Sequence, residues 1–183
     1  MLADRKMKTN RRGQLFSGDI AMATAVFLVS LSTAFLLWNS VSGDLERSEN
    51  LRLLSKLASE SIEQLVRTPG LPEDWSYGMA IADPTVLKSL GLATTDRVIN
   101  ETKAYEFIQL MNSTNYDDYR HLMGLGIYHF QLNVTDLNGT AIEVRGLRFS
   151  VGEPLSDYTE AVSMFRTAIY DDEIVRLTYV VWR

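Results

Sequence analysis

Few residues in this chain have the type and spacing that chemistry needs. His121 and His129 stand eight positions apart, a spacing that matches no zinc motif, and no cysteine joins them. Asp117-Asp118 and Asp171-Asp172-Glu173 are the kind of carboxylate group that a hard cation such as calcium takes. The plainer reading is a solvated helix start and a hairpin turn. No G-x-S-x-G elbow, Walker loop or dinucleotide fingerprint occurs. We therefore expect no catalytic residue, no metal and no cofactor. What remains are places where other proteins would act. Asn100, Asn112, Asn133 and Asn138 each open an N-x-[ST] tripeptide, the acceptor for N-glycosylation. Asn138 is the least favoured, because Gly139 follows it in a tight turn. The second place is the junction Arg11-Arg12-Gly13-Gln14, which leads into an apolar run.

That run decides the setting. Ile20 to Trp38 carries no charge. As a helix it spans about 28 Å, close to the roughly 30 Å hydrocarbon core of a bilayer. A secretory signal has a shorter apolar region and a small-x-small cleavage site after it. Here the run ends in Phe35-Leu36-Leu37-Trp38, so we expect a retained span with Trp38 at the lipid–water boundary. Ahead of it, Arg5, Lys6, Lys8, Arg11 and Arg12 stand against Asp4 alone, a net charge of +4. Basic flanks stay in the cytoplasm, which places the N-terminus inside and everything from Asn39 onward outside. The whole chain carries −5, so the residues after Arg12 sum to −9. Such an acidic domain lacks the basic footprint of a nucleic-acid binder.

Beyond the membrane the helix continues. Leu51, Leu54, Ala58, Ile62, Leu65 and Val66 recur at three and four, an amphipathic stripe. Ser42-Gly43 either kinks the junction or is tolerated there. Thr68-Pro69-Gly70-Leu71-Pro72 ends the helix. The domain beyond must fold by its own core, without disulfides. Trp75 in "TPGLPEDW" reads as an anchor. A short helix is expected over Thr85–Leu90 after Asp83-Pro84, a second over Thr95–Met111 and a third over Asn115–Met123. Leu125–Val134 alternates as a half-buried strand. Asn138-Gly139 signals a type I′ hairpin turn. The return strand Ala141–Val151 changes parity at Arg145-Gly146, which predicts a bulge. A second hairpin joins Ala161–Ile169 to Ile174–Trp182 through Tyr170-Asp171-Asp172-Glu173, with Val175, Leu177, Tyr179 and Val181 on its apolar face. Four antiparallel strands with one apolar face need a cover, and the helix stripe is the natural one.

Taken together, the basic leader, the Gly13-Gln14 junction, the polar residues before an apolar helix and a sheet folded on that helix resemble the type IV pilin-like proteins. The nearest likeness is to the archaeal branch with class III signal peptides. "TPGLPEDW", "SLGLA", "NYDDYRHLMGL" and "VVWR" also look like that group. The resemblance implies an α+β pilin-like fold, with a long N-terminal transmembrane and amphipathic helix packed on an antiparallel sheet. It implies four parts. Residues 1–13 are a leader removed by a prepilin-type signal peptidase between Gly13 and Gln14, and 14–38 the transmembrane helix. Residues 39–68 are its extracytoplasmic continuation and 69–183 the head, with a helical linking region over 69–124 and the sheet over 125–183. The partners implied are other pilin-like subunits, their assembly machinery and membrane lipid.

The family places Ser two residues after the Gln and an acid two further on. Here Ser17 and Asp19 come three and five residues after Gln14, and Gly18 sits where the acid is expected. Asp19 is then the residue left to attract a neighbour's N-terminal amine. Gly18, Ala21 and Ala25 are the small side chains that let helices approach closely. The sequence thus points to a structural subunit, a minor pilin or pseudopilin of a surface filament or secretion assembly. The alternative is a membrane-anchored extracytoplasmic binding module. An enzyme is the third choice.

Overall fold

The computed structural model describes residues 12–77, 85–156 and 158–183, with side chains from Gly18 onward. The chain divides into two compact units, Met1–Ser48 and Glu49–Arg183. One helix, α1 (Arg12–Arg67), contributes to both.

In the first unit the apolar residues of α1 form no stripe. Phe27, Leu28, Leu31, Phe35, Leu36 and Trp38 are all exposed, so apolar surface surrounds the helix. Its most apolar window has a mean hydropathy of 2.2 with none of it buried, and the helix is long enough to cross a membrane. Two hydroxyls in this stretch are satisfied within the helix. Ser30 Oγ donates to the Val26 carbonyl and Thr33 Oγ1 to that of Val29, each at 2.9 Å. Ser42 and Gly43 lie inside the continuous helix.

In the second unit the stripe is buried as the spacing requires. Leu54, Ala58, Ile62, Leu65 and Val66 are at most 1% exposed, while Leu51 is half-buried. They share one core with the inner face of a six-stranded sheet. The elements after α1 are β1 (Gly70–Leu71), β2 (Ser89–Leu90), β3 (Ala93–Thr95), β4 (Val98–Ile99), α2 (Glu101–Met111) and α3 (Tyr116–Leu122). Then come β5 (His129–Thr135), β6 (Glu143–Val144), β7 (Leu147–Arg148), β8 (Ser150–Gly152), β9 (Ala161–Tyr170) and β10 (Glu173–Trp182). The order in the main sheet is β3-β4-β9-β10-β5-β8. Its pairs are antiparallel except for one parallel contact, Val98 with Ile169. Phe130, Leu132 and Val134 of β5 and Val175, Leu177, Tyr179 and Val181 of β10 supply the buried face. Their alternation is the strand period of two. Inside this core the Ser61 and Tyr179 hydroxyls pair at 2.9 Å.

Several expectations are corrected. The main sheet has six strands and is mixed rather than four and antiparallel. No helix forms over the described part of Thr85–Leu90, and Asp83-Pro84 lies outside the described residues. Ser89–Leu90 instead pairs with Gly70–Leu71. The reason is Trp75, fully buried, whose indole N–H donates to the carbonyls of Pro69 and Gly91, each at 3.0 Å. That clamp brings the two segments side by side, and lateral pairing satisfies their backbone.

The second helix starts at Glu101, not Thr95. Arg97 has φ 61°, which breaks a helix, and the β3–β4 hairpin takes the preceding residues. Asn100 then caps α2, its side-chain oxygen accepting from the Lys103 N–H at 3.0 Å.

The two hairpin expectations exchange places. At Asn138-Gly139 only the glycine has a positive φ, so the turn is not type I′. Asp136 closes it instead, its carboxylate accepting from the Thr140 N–H at 2.7 Å. At Arg145-Gly146 both φ values are positive, 51° and 82°, the signature of a type I′ turn. The chain makes a small hairpin there, with Val144 opposite Leu147, and does not bulge. The parity change marks a reversal of direction. The first strand begins at His129 rather than Leu125, while the second hairpin forms as expected around Asp171-Asp172.

The core predicts its own weak point. Leu54→Asp should cost about 3 kcal/mol or more, because a carboxylate would enter an interface with no partner for it. Thermal unfolding of the full chain in detergent measures this. A loss below about 1 kcal/mol would show that the stripe contributes little to the fold.

Candidate functional surfaces

The junction and packing residues lie along α1. Gly13 and Gln14 belong to its first turns. Gly18, Asp19, Ala21 and Ala25 are all exposed, and a side chain added at Gly18 would meet nothing within 4 Å. At 3.6 residues per turn, Gly18, Ala21 and Ala25 fall on one face and Asp19 lies about 100° round from Gly18. Nothing in the described part of the first unit covers Gly18, Ala21 or Ala25. The basic leader before Arg12 lies outside the described residues.

The four sequons differ in setting. The Asn100 side chain is engaged at both ends: its oxygen caps α2 and its nitrogen donates to Thr94 Oγ1 at 3.3 Å. Asn133 is half-buried in the middle of the sheet, where its side-chain oxygen accepts from Ser150 Oγ at 2.6 Å. Asn112 is exposed just past the end of α2. Asn138 is exposed on the β5–β6 connection.

The histidines do not meet as ligands. His121 is exposed on α3, and among the described residues no group of three or more metal-ligating side chains forms. His129 joins a different cluster. Its Nδ1 lies 3.2 Å from Arg120 Nη1 and 2.8 Å from Glu153 Oε2. An Nδ1 without a proton accepts there from the guanidinium, and an Nδ1–H donates to the carboxylate. One nitrogen cannot do both, so the two bonds are alternatives. The ring stacks on Trp182, and Arg120 lies over Tyr116 while pairing with Asp117 at 2.8 Å. Asp117 is thereby paired with Arg120.

A second charged group, Lys103, was missed by pattern reading. It is almost fully buried, and its ammonium donates to the Pro69 carbonyl at 2.8 Å and the Ala93 carbonyl at 3.4 Å. Burial lowers its pKa, opposed by the nearby carboxylates Glu73 and Asp74. These bonds fasten the exit of α1 to β3, a structural role. The signal available in sequence was a lone lysine at the third position of a capped helix, adjacent to the inward-facing Ala104.

No family model matches the chain, and neither a curated protein nor a solved structure does.

The buried phenols give a test with a defined sign. Burial raises Tyr116 to about 12, with the Glu153 charge adding and Arg120 opposing. Tyr179 is raised further, also by burial first, with the Ser61 hydrogen bond opposing. A phenol whose folded pKa lies above its unfolded value of about 10 favours the fold only while neutral. The stability it supports is therefore complete below about pH 10 and declines as the pH rises toward 12. In an alkaline titration followed by tyrosinate absorbance and circular dichroism, these two rings should ionise last, together with unfolding. Ionisation of all eight tyrosines before any loss of structure would contradict their burial.

Proposed function

We propose that this chain is a membrane-anchored structural subunit of pilin-like design, acting by helix packing and surface display. The observation that carries the proposal is α1 itself. One continuous helix is exposed and apolar on every side in its first unit, and becomes one-sided and buried where it meets the sheet. An apolar cylinder of that length matches a bilayer or a bundle of like helices.

In this reading the leader is removed between Gly13 and Gln14, and the N-terminal side of the span faces the cytoplasm. The second unit is displayed outside, in a minor pilin or pseudopilin of an archaeal type IV-like filament or secretion assembly. Asp19, the charge nearest the new terminus within the apolar region, pairs with the Gln14 amine of a neighbouring subunit, because a charge in a dry helix bundle needs a partner. Gly18, Ala21 and Ala25 permit the close approach.

Protein purified from its own host should begin at Gln14 by mass spectrometry, and Gly13→Leu should leave the leader attached. Asp19→Asn and Ala21→Leu should leave both cleavage and the head unchanged while reducing co-purification with other pilin-like subunits. Retention of residues 1–13 in the native protein would favour the anchored binding module instead. Display outside the membrane also exposes the sequons. Glycopeptide analysis should find sugar first at Asn112, which is exposed and does not precede a glycine in a turn. An occupied Asn133 with a bare Asn112 would contradict attachment to the folded head.

A further inference from the structure

Strand β9 pairs along its whole length with β10 on one side. On its other side it meets β4 at Ile169 alone, where the Ile169 N–H donates to the Arg97 carbonyl at 2.7 Å. The turn after β9 has Asp171 and Asp172 at φ 52° and 60°, a two-residue type I′ loop. In such a hairpin Tyr170 and Glu173 exchange bonds, and the alternation of an antiparallel pair fixes the rest. Val162, Met164, Arg166 and Ala168 direct their backbone groups to β10. Ala161, Ser163, Phe165, Thr167 and Ile169 direct theirs away, and the Ile169–Arg97 bond has that parity. Among the described residues, the N–H groups of Ser163, Phe165 and Thr167 find no acceptor. The Phe165 carbonyl receives one bond, from Arg166 Nη1 at 2.8 Å.

Natural sheets blunt an open edge by keeping it short, or by a charge, a proline or a covering segment. The opposite edge, β8, is only three residues long. Among the described residues the β9 edge has no such protection. It contains no proline and no lysine. Its one charged side chain, Arg166, turns to α1, where it pairs with Glu63 and donates to Ser59. Phe165 beside it is 60% exposed.

We propose that this edge is an interface in which β9 pairs antiparallel with β9 of a second copy of the chain. The register chooses the occupant. With the two-fold axis at Met164, Ala161 lies opposite Thr167 of the second copy and Ser163 opposite Phe165. Ala161, Ser163, Phe165 and Thr167, whose backbone groups point away from β10, then pair with the same four residues, as an isologous contact demands. A register centred on Phe165 would set Ala161 against Ile169, whose N–H Arg97 already holds. No like charges face each other, because Arg166 lies opposite Val162 and keeps its own Glu63. The two Phe165 rings become diagonal neighbours on the uncovered face of a continuous sheet. The inference concerns the second unit only and does not depend on leader cleavage or on pilin-like assembly.

The chain has no cysteine, so introduced thiols read the register directly. In full-length protein in detergent and in lipid nanodiscs, Met164→Cys should form a disulfide-linked dimer on mild oxidation. Facing Cα atoms in a non-hydrogen-bonded pair are about 4.5 Å apart, within disulfide range. Thr167→Cys should remain monomeric, since six residues of offset separate it from its mate by roughly 20 Å. Ser163→Cys with Phe165→Cys, both on exposed positions, should crosslink between copies and reports the same register without touching the core. Adding Phe165→Lys to Met164→Cys should lower the dimer yield about tenfold, as a charge on an edge strand opposes pairing. The proposal is overturned if Thr167→Cys crosslinks as readily as Met164→Cys, if the lysine has no effect, or if neither cysteine variant expected to crosslink does so.

Discussion

The fold depends on one contact, the seating of a single stripe of α1 on the inner face of the sheet. Leu54, Ile62, Leu65 and Val66 are each almost completely withdrawn from solvent. Burying a side chain of that size contributes about 1.5–3 kcal/mol, before the entropy of ordering is subtracted. The ion pairs along the same helix, Lys56 with Glu60 and Arg67 with Asp96, are exposed. Pairs of that kind contribute at most about 1 kcal/mol each. Apolar burial therefore decides that the helix stays down, and the charges decide only where it sits. Trp75 and Lys103 act on the chain where α1 ends. Each bonds to the Pro69 carbonyl, and through Gly91 and Ala93 they tie the end of the helix to β2 and β3. The connection is fixed from both sides without a disulfide.

This division of labour explains what was legible in the sequence. The stripe, the apolar run of α1 and the β9–β10 hairpin are carried by local sequence pattern. Asp171-Asp172 flanked by two alternating runs announces its turn by composition. The β5–β8 region was harder because two turn signals compete within a few residues. Asn138-Gly139 has the stronger composition, yet the Asp136 carboxylate captures the Thr140 N–H and closes a different turn. Arg145-Gly146 takes the type I′ geometry although arginine seldom occupies that position. The start of α2 was misplaced because Arg97 adopts a left-handed backbone in the middle of a helix-like pattern. That conformation is set by tertiary context: the Arg97 N–H reaches the Val66 carbonyl at 2.9 Å, and the Arg97 carbonyl receives Ile169.

The candidate surfaces follow the same rule. Residue types could be read in sequence, but their engagement could not. The four sequons look alike as tripeptides, and only folding separates Asn100, bound at both ends, from Asn112, open to solvent. Arg120, His129 and Glu153 are separated in the chain and converge only because α3, β5 and the end of β8 meet at one corner. Neighbours distant in sequence leave no periodic trace.

The order of these elements along the chain has a consequence for biosynthesis. The stripe on α1 is translated early, and β10, whose inner face shares its core, is separated from it by more than a hundred residues. At a ribosomal pace of about 5–20 residues per second, Leu54 to Val66 wait on the order of ten seconds for Leu177, Tyr179 and Val181 to appear. Over that interval the seam can be covered only in part, by earlier segments such as Leu90 and Leu92 that share its core. If the first unit enters a bilayer, it can do so before the second unit is complete. Synthesis of the stripe and closure of the core are thus separated in time by the topology.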